Sequence, residues 1–153
     1  MQLIDGVETK KLKVIQTYDK DKKNNGWLID ILRATDEIKK DKDKFAQIYV
    51  TTAYPGMVKG FHWHKTKTDL FCVIVGKAKL VLIDDRENSP TKGMINEFIM
   101  GEGNYIVVRV PPYVKHAFKN IGDSIVYMLN YMNPAYDANN LDDYTSEENY
   151  KWQ

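Results

Sequence analysis

Cysteine, histidine and surplus charge are all scarce in this chain, and each scarcity narrows what the protein can be. The single cysteine, Cys72, excludes an intrachain disulfide and suits a reducing compartment. It sits inside the apolar run DLFCVIV with no flanking group to lower its pKa, so it reads as a buried apolar thiol rather than a nucleophile. Lys and Arg number 22 against 21 Asp and Glu, a net charge of +1. That balance offers no footprint for nucleic acid or an anionic membrane, so an anionic ligand must be met locally. No apolar run approaches the ~20 residues of a membrane helix, and the start, MQLIDGVETKK, lacks the basic-then-apolar pattern of a signal peptide. The expectation is a cytoplasmic protein. Internal repeats, low-complexity linkers and helical periodicity are also missing, which leaves one domain over residues 1–153.

What is there is apolar and β-prone: 43% hydrophobic residues, with 18 aromatics (three Trp, ten Tyr, five Phe). KLKVIQ (11–16), WLIDILR (27–33) and FAQIYVTT (45–52) read as strands, with the charged stretch 34–44 as a loop holding at most one helical turn. KAKLVLIDD alternates polar and apolar as a half-buried strand should, and RENSPTKG reads as a loop. NEFIM, NYIVVRV, HAFKN and SIVYMLNYM are further short strands punctuated by GEG, PPY and IGD. Evenly spaced short strands predict an all-β antiparallel sandwich or jelly-roll barrel. The polar tail, PAYDANNLDDYTSEENYKWQ, is expected to pack a turn or short helix on its rim, anchored by Tyr150 and Trp152.

Two of the three histidines, His62 and His64, are two residues apart, so on a strand both rings share one face while Phe61 and Trp63 point the other way. The pattern is Gly56, five residues, His-x-His, four residues, Asp69, six residues, Gly76. This resembles the first signature of the cupin superfamily, with aspartate for the usual glutamate. PPYVKHAFKN resembles the second, through Pro111, His116 and Asn120, with Tyr113 in place of the usual glycine. The resemblance implies the cupin jelly roll.

A narrower resemblance is carried by other residues. VLIDDRENSPTKG (81–93), Gly26, Gln47, Lys-Gly-Phe-His (59–62) and the Pro111 to Phe118 segment are similar to dTDP-4-dehydrorhamnose 3,5-epimerases. His-Trp-His-Lys (62–65) resembles the small dTDP-sugar 3,4-ketoisomerases, also cupins. These resemblances imply a homodimer acting on a nucleotide sugar, without a cofactor. A 4-keto group acidifies the hydrogens on the adjacent carbons, so a base on one face and an acid on the other suffice to invert or move a centre. They imply His62 as base and a late-strand tyrosine as acid, Tyr127 with one gap or Tyr131 without, two positions that strand parity does not separate. His64, His116, Lys59, Gln47 and Arg86 are the implied substrate contacts, although a surface ion pair is the ordinary fate of an arginine such as Arg86. The epimerases' active-site lysine falls on Asp69, and their base-orienting aspartate lies in a C-terminal segment without an evident counterpart here, which leaves Asp69 to orient the base.

Two other classes stay open. His62, His64, Asp69 and His116 form a ligand set by which a cupin could hold one divalent transition metal. Trp63, Tyr54 and Tyr113 could instead be stacking platforms of a non-catalytic sugar-binding cupin.

Overall fold

The computed structural model describes residues 1–41 and 44–153. Its strands, in chain order, are β1 (Glu8–Lys11), β2 (Val14–Tyr18), β3 (Asn24–Ile29), β4 (Gln47–Ala53), β5 (Val58–Trp63) and β6 (Thr68–Val75). They continue as β7 (Lys77–Ile83), β8 (Ile95–Gly101), β9 (Ile106–Val110), β10 (Lys115–Asn120), β11 (Val126–Asn133) and β12 (Tyr144–Thr145). One five-stranded sheet runs β1-β9-β6-β11-β4, the other β12-β5-β10-β7-β8, and every pairing is antiparallel. The expected all-β sandwich is what forms, and among the described residues no helix is long and apolar enough to cross a membrane.

Period-two patterning explains which residues fill the space between the sheets. In KAKLVLI, Ala78, Leu80 and Leu82 turn inward to meet Phe71, Val73 and Met128, while Val81 turns outward onto Phe61 and Ala117. Cys72 belongs to a separate cluster behind β6 with Leu70, Val107 and Tyr131, and burial pushes its thiol up to about 11, as suits an apolar filler.

Several boundaries differ from the sequence reading. KLKVIQ is split: Lys11 closes β1, which pairs with β9, whereas Val14 opens β2, which pairs only with β3 in a separate two-stranded ribbon. The WLIDILR strand begins earlier, at Asn24, and ends at Ile29. In the loop 34–44 the structure has a 3-10 turn over Glu37–Lys39, and residues 42 and 43 lie outside the described set. The tail makes a turn over Ala138 and Asn139, closed by the Asn140 N–H donating to the Asp137 carbonyl at 3.2 Å, and no helix. It adds β12 to the edge of β5, and Tyr150 and Trp152 close over the outward face of Phe61 as anchors.

Candidate active site

The site is built where β5 and β10 lie side by side. His62 and His116 are direct partners across this pair, and their rings stand 6.4 Å apart. The close approach depends on Gly60, whose φ of +119° disfavours a side chain and whose Cβ would lie 2.7 Å from both Ala117 Cβ and the His116 carbonyl oxygen. His64 follows the end of β5, its ring 5.4 Å from that of His116. Tyr113, at the glycine position of the second signature, adopts φ +65° and donates its N–H to the His64 carbonyl at 2.6 Å. The backbone there has the conformation glycine favours, although the residue is tyrosine.

Asp69 comes from β6 in the opposite sheet and is 1% exposed. Its Oδ1 accepts from Asn130 Nδ2 at 2.7 Å, and Asn130 also donates to the Tyr49 hydroxyl at 2.8 Å. Asp69 Oδ2 faces His64 Nε2 at 3.2 Å and His116 Nε2 at 3.6 Å, yet neither makes a hydrogen bond, so among the described residues this buried oxygen has no donor. The remaining ring nitrogens meet acceptors. His64 Nδ1 lies 2.6 Å from the Asp142 carbonyl and His116 Nδ1 lies 3.2 Å from the Val114 carbonyl, so each Nδ1 carries the proton and each Nε2 is turned to Asp69.

The three imidazoles titrate differently. Burial opposes charge on His64, but the Asp69 carboxylate and the Asp142 carbonyl outweigh it and raise its pKa. Burial lowers His116. Burial, helped by the charge on His64, also lowers His62. Of the three rings, His64 beside Asp69 is therefore the one most readily charged, and His116 and His62 are the two that burial holds neutral. Burial would raise the Asp69 carboxyl, yet the two histidines and Asn130 bring it below its ordinary value.

These groups open onto a cavity of about 330 Å³. Its apolar lining is Phe71, Leu80 and Phe118; its polar lining includes His62, Tyr49, Thr51, Lys59 and Asp143. Lys59 Nζ donates to Thr51 Oγ1 at 2.7 Å and to the Thr52 carbonyl at 3.1 Å. Burial and the nearby Asp69 charge raise the Tyr49 phenol, against the opposing pull of Asn130, so it stays protonated.

Of the residues singled out from the sequence, His62, His64, His116, Asp69 and Lys59 are brought together. Four are not. Tyr127 is 37% exposed on the face of β11 opposite Met128 and Asn130. Tyr131 shares that face, packing into the cluster behind β6, with its hydroxyl donating to Asp41 Oδ2 at 3.1 Å. Gln47 uses its side-chain oxygen to accept the Tyr136 N–H at 2.7 Å. Arg86 forks onto buried Asp84 at 2.8 and 2.9 Å and also donates to the Asp5 carbonyl, tying a loop to the N-terminal segment. The stacking platform fails for Trp63 in particular: Tyr144 covers one side at 4.4 Å between centroids and Tyr113 stacks at 5.9 Å.

Sequence reasoning missed Tyr49, Asn130, Asp142 and Asp143. Asn130 carried a signal, being an amide in the middle of an apolar strand and of opposite parity to both tyrosines. The C-terminal segment, read as lacking an aspartate near the histidines, supplies two: the Asp142 carbonyl, and Asp143 Oδ1 at 3.3 Å from His64 Nδ1.

A family model described as polysaccharide biosynthesis C-terminal domain matches residues 21–144. The chain is 30% identical over 141 residues to the spore coat polysaccharide biosynthesis protein SpsL of Bacillus subtilis, covering 92% of this chain and 87% of that protein. It is 35% identical over 120 residues to the probable low-salt glycan biosynthesis epimerase Agl13 of Haloferax volcanii, covering 77% of this chain and 75% of the relative. The crystal structure of a dTDP sugar isomerase from Desulfovibrio desulfuricans G20 matches with a TM-score of 0.83 at 26% identity, over 95% of this chain and 87% of that one.

Proposed function

The chain belongs to the polysaccharide biosynthesis C-terminal domain family, and from that premise we propose that it is a sugar-nucleotide epimerase or isomerase acting on a 4-keto-6-deoxyhexose. The observation that carries this reading is the pair His62 and Tyr49: a neutral imidazole from one sheet and a protonated phenol from the other line the same cavity. His62 takes the proton from a carbon beside the ketone, the C–H electrons pass into the enolate, and Tyr49 delivers a proton from the other wall. Lys59 supplies positive charge for the enolate oxygen, and His64 adds to it when protonated beside Asp69. A cavity of about 330 Å³ lies at the small end of ligand pockets, so it encloses the sugar and leaves the nucleotide along the mouth.

A second reading is favoured by the donorless Asp69 Oδ2. With His64 Nε2 and His116 Nε2 it forms a cluster whose ligand atoms lie within 4.8 Å of one another, a donor set that fits a divalent transition metal. His62 stands outside this cluster. Such an ion, when bound, would act as a Lewis acid on the ketone oxygen.

For assembly we propose a homodimer. The β2–β3 ribbon exposes Val14, Ile15, Tyr18, Trp27 and Leu28, and β4 presents an open sheet edge with Ile48 and Val50 exposed. A two-stranded ribbon in water is marginal by itself, so a second copy of the chain is the occupant that suits both. Sedimentation at twice the chain mass is the expected result. For compartment we propose the cytoplasm, with which the lone buried Cys72 is consistent.

Solvent deuterium incorporation into a dTDP-4-keto-6-deoxyhexose, followed by NMR on chelator-stripped protein, tests the reaction. Exchange beside the ketone without metal, abolished in His62→Asn, is the expected outcome. Exchange that needs a restored stoichiometric metal would move the chemistry to the second reading, and exchange at the parent rate in His62→Asn would refute His62 as base.

A further inference from the structure

The turn between β5 and β6 separates His64 from Asp69, and it is held from far away in the sequence. Asp142, 7% exposed, lies 78 residues after His64. Its Oδ1 accepts the Lys65 N–H at 2.7 Å. Its Oδ2 accepts the Thr66 N–H at 2.9 Å, the Lys67 N–H at 3.2 Å and the Thr66 hydroxyl at 2.7 Å. Its carbonyl accepts the His64 Nδ1–H at 2.6 Å. One residue therefore binds three consecutive amides of the turn and also the ring at its start.

The segment around Asp142 is itself fixed. Tyr144 stacks on Trp63, and the Ser146 N–H donates to the Phe61 carbonyl at 3.1 Å. The next residue, Asp143, sits between His64 Nδ1 at 3.3 Å and Lys67 Nζ at 3.4 Å. Burial opposes the charge on Asp142, but these donors bring its carboxyl down to about 2, so the clamp is ionised through the working range.

A carbonyl can only accept. While it faces Nδ1, the ring is confined to the tautomer and orientation that aim Nε2 at Asp69. Without the clamp, the turn amides would be left to water and the ring would be free to rotate about its Cβ–Cγ bond.

We propose that Asp142 is a positioning residue for the reaction: through the strap it anchors, it holds His64 as the Nδ1–H tautomer with Nε2 directed into the site. This rests on the functional reading above for its kinetic consequence, but the geometric part holds whether Nε2 meets the substrate or a metal.

The test uses the full chain with Asp142→Ala and Asp142→Asn. Asparagine keeps one acceptor oxygen for the turn, so it is the variant that decides if alanine does not fold. Histidine ¹⁵N spectra of the parent, taken without substrate or metal on the alkaline side of the His64 titration, should show His64 protonated at Nδ1, and Asp142→Ala should shift it to a mixture of tautomers. Outer contacts of this kind are worth about 10–100-fold in activity. The kcat of Asp142→Ala should fall by that factor with KM within about threefold, and Asp142→Asn should recover part of it. A variant that leaves both the His64 tautomer and kcat at parent values overturns the proposal, as does a fall in kcat with the tautomer unchanged. Because the spectra need no substrate, a parent inactive on keto sugar nucleotides would sink the functional reading while the tautomer still decides the positioning.

Discussion

Replacing Tyr49 by phenylalanine separates this site from one centred on Tyr127. The substitution removes a hydroxyl that accepts from Asn130 Nδ2 at 2.8 Å and leaves the ring in place. Asn130 is fully buried, so the lost partner strands one of its N–H groups, while its bond to Asp69 at 2.7 Å remains. An orphaned buried donor costs about 1–3 kcal/mol, and because Tyr49 is 38% exposed, water reaches the vacated position and the cost falls near the lower end. A drop in Tm of about 2–4 °C follows for a chain of this length. The catalytic loss is larger. A positioned proton donor contributes about 10²–10⁴-fold, so Tyr49→Phe should lose product formation by that factor while folding nearly as the parent does. Proton abstraction by His62 does not need the phenol, so deuterium wash-in on the His62 face should persist better than turnover. Tyr127→Phe, on the other face of β11, should leave both rates within a factor of two. The assay is single-turnover NMR in deuterated buffer with a 4-keto-6-deoxyhexose nucleotide. Parent-like turnover by Tyr49→Phe, or loss of turnover in Tyr127→Phe, would refute the assignment.

Asp69→Asn should remove the anion that sustains the His64 charge, and the sign of its pH dependence is fixed. The raised His64 pKa gives stability that is full below about pH 6.5 and lost as pH rises through the folded value. The lowered Asp69 pKa gives stability present above about pH 3.8 and lost as pH falls through its folded value. The deficit of Asp69→Asn against the parent in urea titrations should therefore be greatest between those limits and shrink on either side; a deficit flat from pH 3 to 9 would contradict the ion pair. Arg86→Ala should lower stability by about 1.5–3 kcal/mol, since Asp84 keeps its Ser89 and Thr91 hydroxyl donors, with kcat/KM unchanged. A loss of substrate affinity at parent stability would return Arg86 to the binding site.

The legible part of this protein was whatever depends on short-range spacing. His-x-His on one strand, an aspartate five residues on and a histidine after Pro111 give a fold and a convergence of imidazoles, because two signatures and strand parity together leave few arrangements. The tyrosine was misplaced because parity was applied only between Tyr127 and Tyr131, which agree, and not against Asn130, which faces Asp69 and gives the inward phase of β11. Tyr49 belongs to the edge strand β4, and nothing local distinguishes it from its neighbour Val50. Asp142 and Asp143 were illegible for a different reason. Their bonds to the histidine turn span more than 70 residues, and an Asp-Asp pair in a polar tail has the composition of a solvated segment until the chain returns along β5.

The strap also sets an order on biosynthesis. Tyr49 leaves the ribosome first among the site's parts and Asp142 near the last, with 78 residues of translation between His64 and the carbonyl that orients it. At ~5–20 residues per second that interval is about 4–16 s. Between the synthesis of His116 and that of Asp142 a nascent chain carries all three histidines and the aspartate among them, yet the His64 ring still lacks the carbonyl that orients it.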